Sequence, residues 1–197
     1  MKELSNTDLL AVLVGRESAA ALSARPLAKL FGFRKPNQMQ LCEERASYIA
    51  HPALGAAKEL FVRCLQEQMQ DEGICLSSPQ IVKGFLCSEI GHLEYESFWC
   101  LWLDAQNRLI HAGEMFRGTV TQTSVYPREI VKMALSVNAV SVIFAHNHPS
   151  GVAQPSRADE MLTQALKSAL ALVDIKVFDH FIITENRALS FAEKGLL

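Results

Sequence analysis

AHNHPSGVAQPSRAD, residues 145–159, is the stretch that decides how this chain folds. It follows VSVIF, residues 140–144, an apolar run typical of a buried strand. Pro149 removes a backbone donor and Gly151 permits a tight turn, so we expect the strand to end there. Ser156 is a favoured N-cap residue and predicts the start of a helix. The stretch therefore predicts a strand, a polar turn and a helix in succession.

The two histidines of this stretch, His146 and His148, are separated by a single residue. Residues two positions apart on an extended segment point to the same side, about 7 Å apart along the backbone. Their imidazoles could lean onto one metal ion, and Asp159, in the first turn of the predicted helix, could supply a third ligand. Two histidines and a carboxylate with an open fourth position are typical of catalytic zinc. We therefore expect His146, His148 and Asp159 to bind Zn²⁺.

A simpler interpretation covers part of the stretch. Taken alone, Ser156 and Asp159 are explained as a helix cap, and an isolated His-x-His in a loop is often not a metal site. The metal interpretation depends on the joint spacing H-x-H-x7-S-x-x-D, which comes directly after the buried strand.

The flanking sequence predicts an α/β fold. SFWCLWLD, the turn AQNR and LIHAGEMF predict a β-hairpin, and PREIVKMALSVN predicts a helix that begins at Pro127. DIKVFDHFIIT and RALSF predict two further strands. Strands that alternate with helices in this order are typical of an α/β sheet with helices packed on it.

The first part of the chain has only helical patterns. Asn6 or Thr7 is the expected N-cap of the first helix, Gly15 its end, and Pro26 interrupts the next apolar period. A longer helix is expected over about residues 55–70. Because the helical period breaks in DEGICLSS, near residues 72–78, we divide the chain into a helical region, residues 1–75, and an α/β domain, residues 76–197.

Composition limits the class of protein. Apolar residues make up 49% of the chain, yet the longest apolar run is far shorter than the roughly 18 residues of a membrane span. Five scattered cysteines without a Cys-x-x-Cys pair, and a start that does not resemble a secretory signal, indicate a soluble cytoplasmic protein. A net charge of −2 disfavours binding to nucleic acid, although a local basic face would still permit it.

The joint spacing resembles the JAMM motif, H-[ST]-H-x7-S-x-x-D, of the MPN-plus metalloproteases. Residues from about 78 to 197 resemble the RadC (UPF0758) family more closely, with Asn147 between the histidines as in other RadC-like sequences. The resemblance is carried by PREI at 127–130, HNHPSG at 146–151, PSRAD at 155–159 and DH at 179–180. It implies a C-terminal MPN (JAB-like) domain with a mixed sheet flanked by helices, preceded by a small all-helical region.

The resemblance also implies roles for residues outside the three ligands. Glu96, in LEYESFWCLWLD, would be the general base that takes a proton from a zinc-activated water, with Glu94 as the alternative. Ser156 would stabilise the oxyanion. His180 would be either a fourth ligand or a residue that orients a ligand.

In the helical region, the resemblance extends to a helix-hairpin-helix turn, but Ala53 replaces its first glycine and only Gly55 remains. We expect this degenerate hairpin not to bind DNA, since the turn needs glycine for close backbone approach to phosphate. The function expected is that of a zinc-dependent metallopeptidase or isopeptidase acting on a protein or peptide. The alternatives are a DNA-associated accessory protein and an inactive MPN scaffold.

Overall fold

The computed structural model describes residues 4–31, 51–70, 79–119, 124–185 and 187–197. Within these ranges no helix is both long enough and apolar enough to cross a membrane. The chain divides into two compact units, Met1–Arg63 and Cys64–Leu197, and the division falls within a helix. The boundary predicted near residues 72–78 lies outside the described residues.

The described part of the first unit is helical, as predicted. Its helices are α1 (Asn6–Val14), α2 (Arg16–Leu22), α3 (Leu27–Leu30) and the beginning of α4 (Pro52–Gln70). They pack around a small apolar core made of Leu10, Ala19, Leu30 and Leu54. Gly15 ends α1 with a positive φ of 82°, the conformation that favours glycine.

The predicted N-cap of α1 is wrong, because Ser5 rather than Asn6 or Thr7 caps the helix. Its hydroxyl accepts from the Asp8 amide, and the Asp8 carboxylate accepts from the Ser5 amide, which completes a capping box. Of the predicted degenerate hairpin, Ala53 and Gly55 lie in the first turn of α4, and the preceding half falls outside the described residues.

The second unit contains a five-stranded mixed sheet with helices around it. Its further elements, in chain order, are α5 (Pro79–Ile90), β1 (Ser97–Leu103), β2 (Leu109–Arg117), α6 (Pro127–Ser136), β3 (Ser141–Asn147), α7 (Arg157–Ala171), β4 (Lys176–Ile183), β5 (Ala188–Ser190) and α8 (Phe191–Lys194). The strand order is β2-β1-β3-β4-β5. Only β3 and β4 are parallel, and α7 connects them. The predicted hairpin, the buried strand and the helices beginning at Pro127 and after Ser156 are confirmed.

Helices cover both faces of this sheet. On one face, α6 and α7 pack against alternate residues of β1 and β3, including Phe98, Trp102 and Phe144. On the other face, Trp99 of β1 meets Phe85 of α5 edge to face at 6.4 Å. Because both faces are covered, every residue of β3 is buried, which matches its continuous apolar sequence.

The predicted last strand, RALSF, is one residue too long at each end, since the observed strand is Ala188–Ser190. The strand ends at Ser190, whose hydroxyl accepts from the Glu193 amide and caps the short helix α8. Phe191 therefore lies in that helix rather than in the strand.

Candidate metal centre

The C-terminal end of β3 and the N-terminal end of α7 bring three predicted site residues together. His146 is the penultimate residue of β3, and His148 follows the strand, held by its backbone amide to the Ile183 carbonyl at 2.9 Å. Asp159 lies in the first turn of α7. The side chains of the three residues are only 8%, 14% and 16% exposed. The fold therefore places the cluster in a largely water-excluded position at the edge of the core.

The distances within the cluster are compatible with a tetrahedral metal site. Nε2 of His146 lies 3.0 Å from Nε2 of His148 and 3.3 Å from Oδ1 of Asp159, and Nε2 of His148 lies 3.6 Å from Oδ2. Tetrahedral ligand atoms at the usual Zn–N distance of about 2.0–2.1 Å lie about 3.3 Å apart. All candidate ligand atoms fall within 4.8 Å of one another. The donor set fits a divalent metal such as zinc without large movement of the side chains.

A chain of hydrogen bonds behind His146 fixes which of its nitrogens carries the proton. The Thr163 hydroxyl donates to the Asp159 carbonyl at 2.6 Å, so its oxygen accepts from Nδ1–H of His180 at 2.7 Å. His180 is fully buried, which lowers its pKa well below the usual value and keeps the ring neutral. Its Nε2 therefore accepts from Nδ1–H of His146 at 2.8 Å. This leaves the Nε2 lone pair of His146 facing Asp159.

The turn after β3 orients His148 so that its Nε2, like that of His146, faces the cluster. Its Nδ1–H donates to the Val152 carbonyl at 2.7 Å, since a carbonyl can only accept. A neutral His148 consequently presents its Nε2 lone pair to the cluster. The hydrogen bond with Asp159 raises the pKa of His148 against the opposing effect of burial. A metal ion that binds here would replace the proton that this pair otherwise shares.

The cap of α7 sets the position of the Asp159 carboxylate. Oδ2 accepts from the Ser156 amide and hydroxyl, both at 2.7 Å, while the Asp159 amide donates to the Ser156 hydroxyl oxygen at 3.1 Å. Burial opposes ionisation of Asp159, but the adjacent imidazoles of His146 and His148, together with the Ser156 amide, outweigh it and lower its pKa. Asp159 is therefore ionised and its Oδ1 faces His146. The Ser156 hydroxyl proton is engaged by Asp159 in this arrangement.

The two predicted candidates for the general base differ in their surroundings. Glu94 is exposed, whereas Glu96 is half-buried and precedes β1. After Asp159, Glu96 also contributes to the raised pKa of His148, so its charge lies close to the cluster. The backbone of Glu96 is fixed by hydrogen bonds to residues 118 and 119, each 2.8 Å long.

Sequence reasoning missed two side chains that support the cluster. Thr163 lies one helical turn after Asp159 on α7, and this spacing of four residues is the signal that could have found it. Phe98, which pairs with His146 across β1 and β3, stacks nearly parallel to the His146 ring with centroids 6.4 Å apart. A single phenylalanine in an apolar strand gives no such signal. His180 lies behind His146, and both of its ring nitrogens are occupied by Thr163 and His146.

Comparison with known proteins agrees with this architecture. The family model described as RadC-like JAB domain matches residues 76–196. A UPF0758 protein of Aromatoleum aromaticum is 51% identical over 98% of this chain and 90% of its own length. A UPF0758 protein of Nitrosomonas eutropha is 47% identical over the same shares, and one of Polaromonas sp. is 56% identical over 73% of this chain and 64% of its own length.

The mixed sheet with its His-His-Asp cluster thus defines a JAB domain, the MPN type of α/β fold. Within that class, this chain belongs to the RadC-like, or UPF0758, family.

Proposed function

We propose that this protein is a zinc-dependent metallopeptidase or isopeptidase that hydrolyses an amide bond in a protein or peptide. The observation that carries the proposal is the convergence of the Nε2 atoms of His146 and His148 and a carboxylate oxygen of Asp159 within ligand distance of one another. Neutral imidazoles and a carboxylate suit zinc at neutral pH. Such an ion, bound by His146, His148 and Asp159, supplies Lewis-acid polarisation and lowers the pKa of water toward 7.

The residues of the chain perform the remaining tasks of hydrolysis. Glu96, whose charge already acts on His148, accepts a proton from the attacking water and delivers it to the leaving amine. Ser156 donates a hydrogen bond to the developing oxyanion once its hydroxyl turns away from Asp159. His180 acts through His146 rather than as a fourth ligand, because both its nitrogens are already engaged.

The same chemistry argues against phosphodiester cleavage as the main activity. Phosphoryl transfer usually recruits two metal ions or a basic clamp. Apart from the proposed ligands, residues 148–159 offer only Arg157 as a cation, and the whole chain has a net charge of −2. We place the protein in the cytoplasm, because its five cysteines are odd in number and scattered along the sequence, which favours reduced thiols over a disulfide framework.

The test compares the wild type with Asp159→Asn, which keeps an acceptor for the Ser156 amide but removes the charge. Both proteins are loaded with zinc and incubated with a peptide library and with single- and double-stranded DNA. The proposal predicts peptide cleavage by the wild type, at least 10²-fold less by the variant, and no DNA cleavage by either. Asp159-dependent DNA cleavage would favour the DNA-associated alternative, and a zinc-loaded wild type that cleaves no peptide would favour the inactive scaffold.

A further inference from the structure

Asn147, between the two histidines, is buried more deeply than either of them and turns away from the cluster. It is the last residue of β3 and is 1% exposed. Because successive side chains of a strand point to opposite faces, Asn147 points away from the side that His146 occupies. Its carboxamide has no role in holding a metal there. The polar side chain therefore needs another explanation for its place in the core.

All three of its hydrogen bonds go to the backbone of one segment, residues 93–97. Oδ1 accepts from the Ser97 amide at 2.7 Å, and Nδ2 donates to the Tyr95 carbonyl at 2.9 Å and the Leu93 carbonyl at 3.3 Å. The opposite orientation of the amide would set its NH₂ against an N–H and its oxygen against two carbonyls. The orientation is thus fixed by the partners.

The bonded residues lie on both sides of Glu96. The Glu96 amide donates to the Thr119 carbonyl and its carbonyl accepts from the Gly118 amide. Glu96 is therefore held from the β2 side, while its neighbours Tyr95 and Ser97 are held by Asn147 from the β3 side.

Backbone pairing between β1 and β3 ends at Phe98 and His146. Beyond this pair β3 stays beside β4, since Asn147 lies opposite Ile183 and the His148 amide donates to the Ile183 carbonyl, but its backbone no longer pairs with β1. The side chain of Asn147 therefore makes hydrogen bonds to residues 93–97 where the β3 backbone no longer pairs with β1.

We propose that Asn147 is a positioning residue, which fixes the Glu96 carboxylate relative to the histidines that flank Asn147 in sequence. One residue thus links the general base to the two imidazoles, although 50 positions separate Asn147 from Ser97. The inference rests on the proposed function for the role of Glu96. A displacement of about 1 Å in a reacting group can lower a rate about 10²-fold. Loss of the carboxamide acts on the base and leaves the metal ligands in place.

The structural test does not depend on activity. Zinc-loaded wild type and Asn147→Ala are crystallised, and exchange of the Ser97 amide is followed by NMR. We expect the Glu96 carboxylate to shift by about 1 Å relative to His148, with the three ligands unmoved and faster exchange at Ser97. Unchanged Glu96 geometry and exchange would overturn the proposal, as would a weaker zinc affinity in a chelator competition.

The kinetic test asks whether Asn147 acts through Glu96. Asn147→Ala should lower kcat about 10²-fold in the wild type but cause no further loss in Glu96→Gln. Equal losses in both backgrounds would contradict the proposal. Asn147→Asp is a second variant for the same test. It preserves the shape of the side chain and keeps the acceptor but loses the donors. Val142→Ala, in the buried part of β3, controls for a general loss of stability and should leave kcat unchanged.

These measurements separate the two hypotheses. If the wild type cleaves no peptide, the proposed function fails, and the crystal structures and the exchange at Ser97 still decide whether Asn147 positions Glu96. If the wild type is active and Asn147→Ala has an unchanged kcat, the positioning proposal alone fails.

Discussion

Nδ1 of His146 lies 2.8 Å from Nε2 of His180, so a fully buried imidazole holds the first histidine of the cluster from behind. Thr163 fixes the proton of His180 in turn and also bonds to the backbone of Asp159. The hydrogen bonds that support His146 are therefore connected to α7, the helix that carries Asp159. Residues that orient ligands in this way commonly change metal affinity 10- to 100-fold when they are replaced.

Thr163→Val tests this connection with a side chain of similar shape. Without the hydroxyl, Nδ1–H of His180 has lost its acceptor, and neither tautomer of His180 is preferred. We expect the zinc dissociation constant to rise by roughly 10- to 100-fold, measured by competition with a chromophoric chelator. Ser88→Ala is the matched control, since Ser88 is also a buried hydroxyl that donates to the carbonyl four residues earlier. An equal change in both variants would contradict a specific effect on His146.

Glu96→Gln tests the assignment of the general base. The amide cannot accept a proton, so kcat should fall by about 10²- to 10⁴-fold while zinc content stays near that of the wild type. Glu94→Gln, two residues earlier and exposed, is the control and should retain activity. Loss of zinc from the Glu96 variant would instead make Glu96 a ligand, and the reverse pattern of activities would give the role to Glu94.

Local rules were sufficient for much of this site. His146, His148 and Asp159 lie within a continuous stretch, and strand alternation, a turn and a helix cap bring them together without any knowledge of the sheet. The order of the strands and the contact between Ser97 and Asn147 could not be predicted, because they join segments about 50 positions apart. The cap of α1 was missed because Ser5, Asn6 and Thr7 are all good caps, and only the distance to Asp8 distinguishes them.

The core of the α/β domain provides a prediction about stability. Leu170 of α7 is fully buried, whereas Leu172, just after the helix, is 87% exposed. Leu170→Ala should lower the free energy of unfolding by about 2–5 kcal/mol, because it removes buried methyl groups and leaves a cavity. Leu172→Ala should change it by no more than about 0.5 kcal/mol. Chemical denaturation of both variants checks the difference, and equal values would mean that this end of α7 is not packed as described.

The measurement that tests the central claim most directly is the metal content of the purified protein, determined by mass spectrometry after dialysis against metal-free buffer. We predict about one zinc ion per chain in the wild type, as expected for a single three-ligand site, and almost none in the double variant His146→Ala/His148→Ala. His111→Ala, which changes an exposed histidine of β2, should retain the full amount. Zinc kept at full stoichiometry by the double variant would place the metal elsewhere and contradict the account.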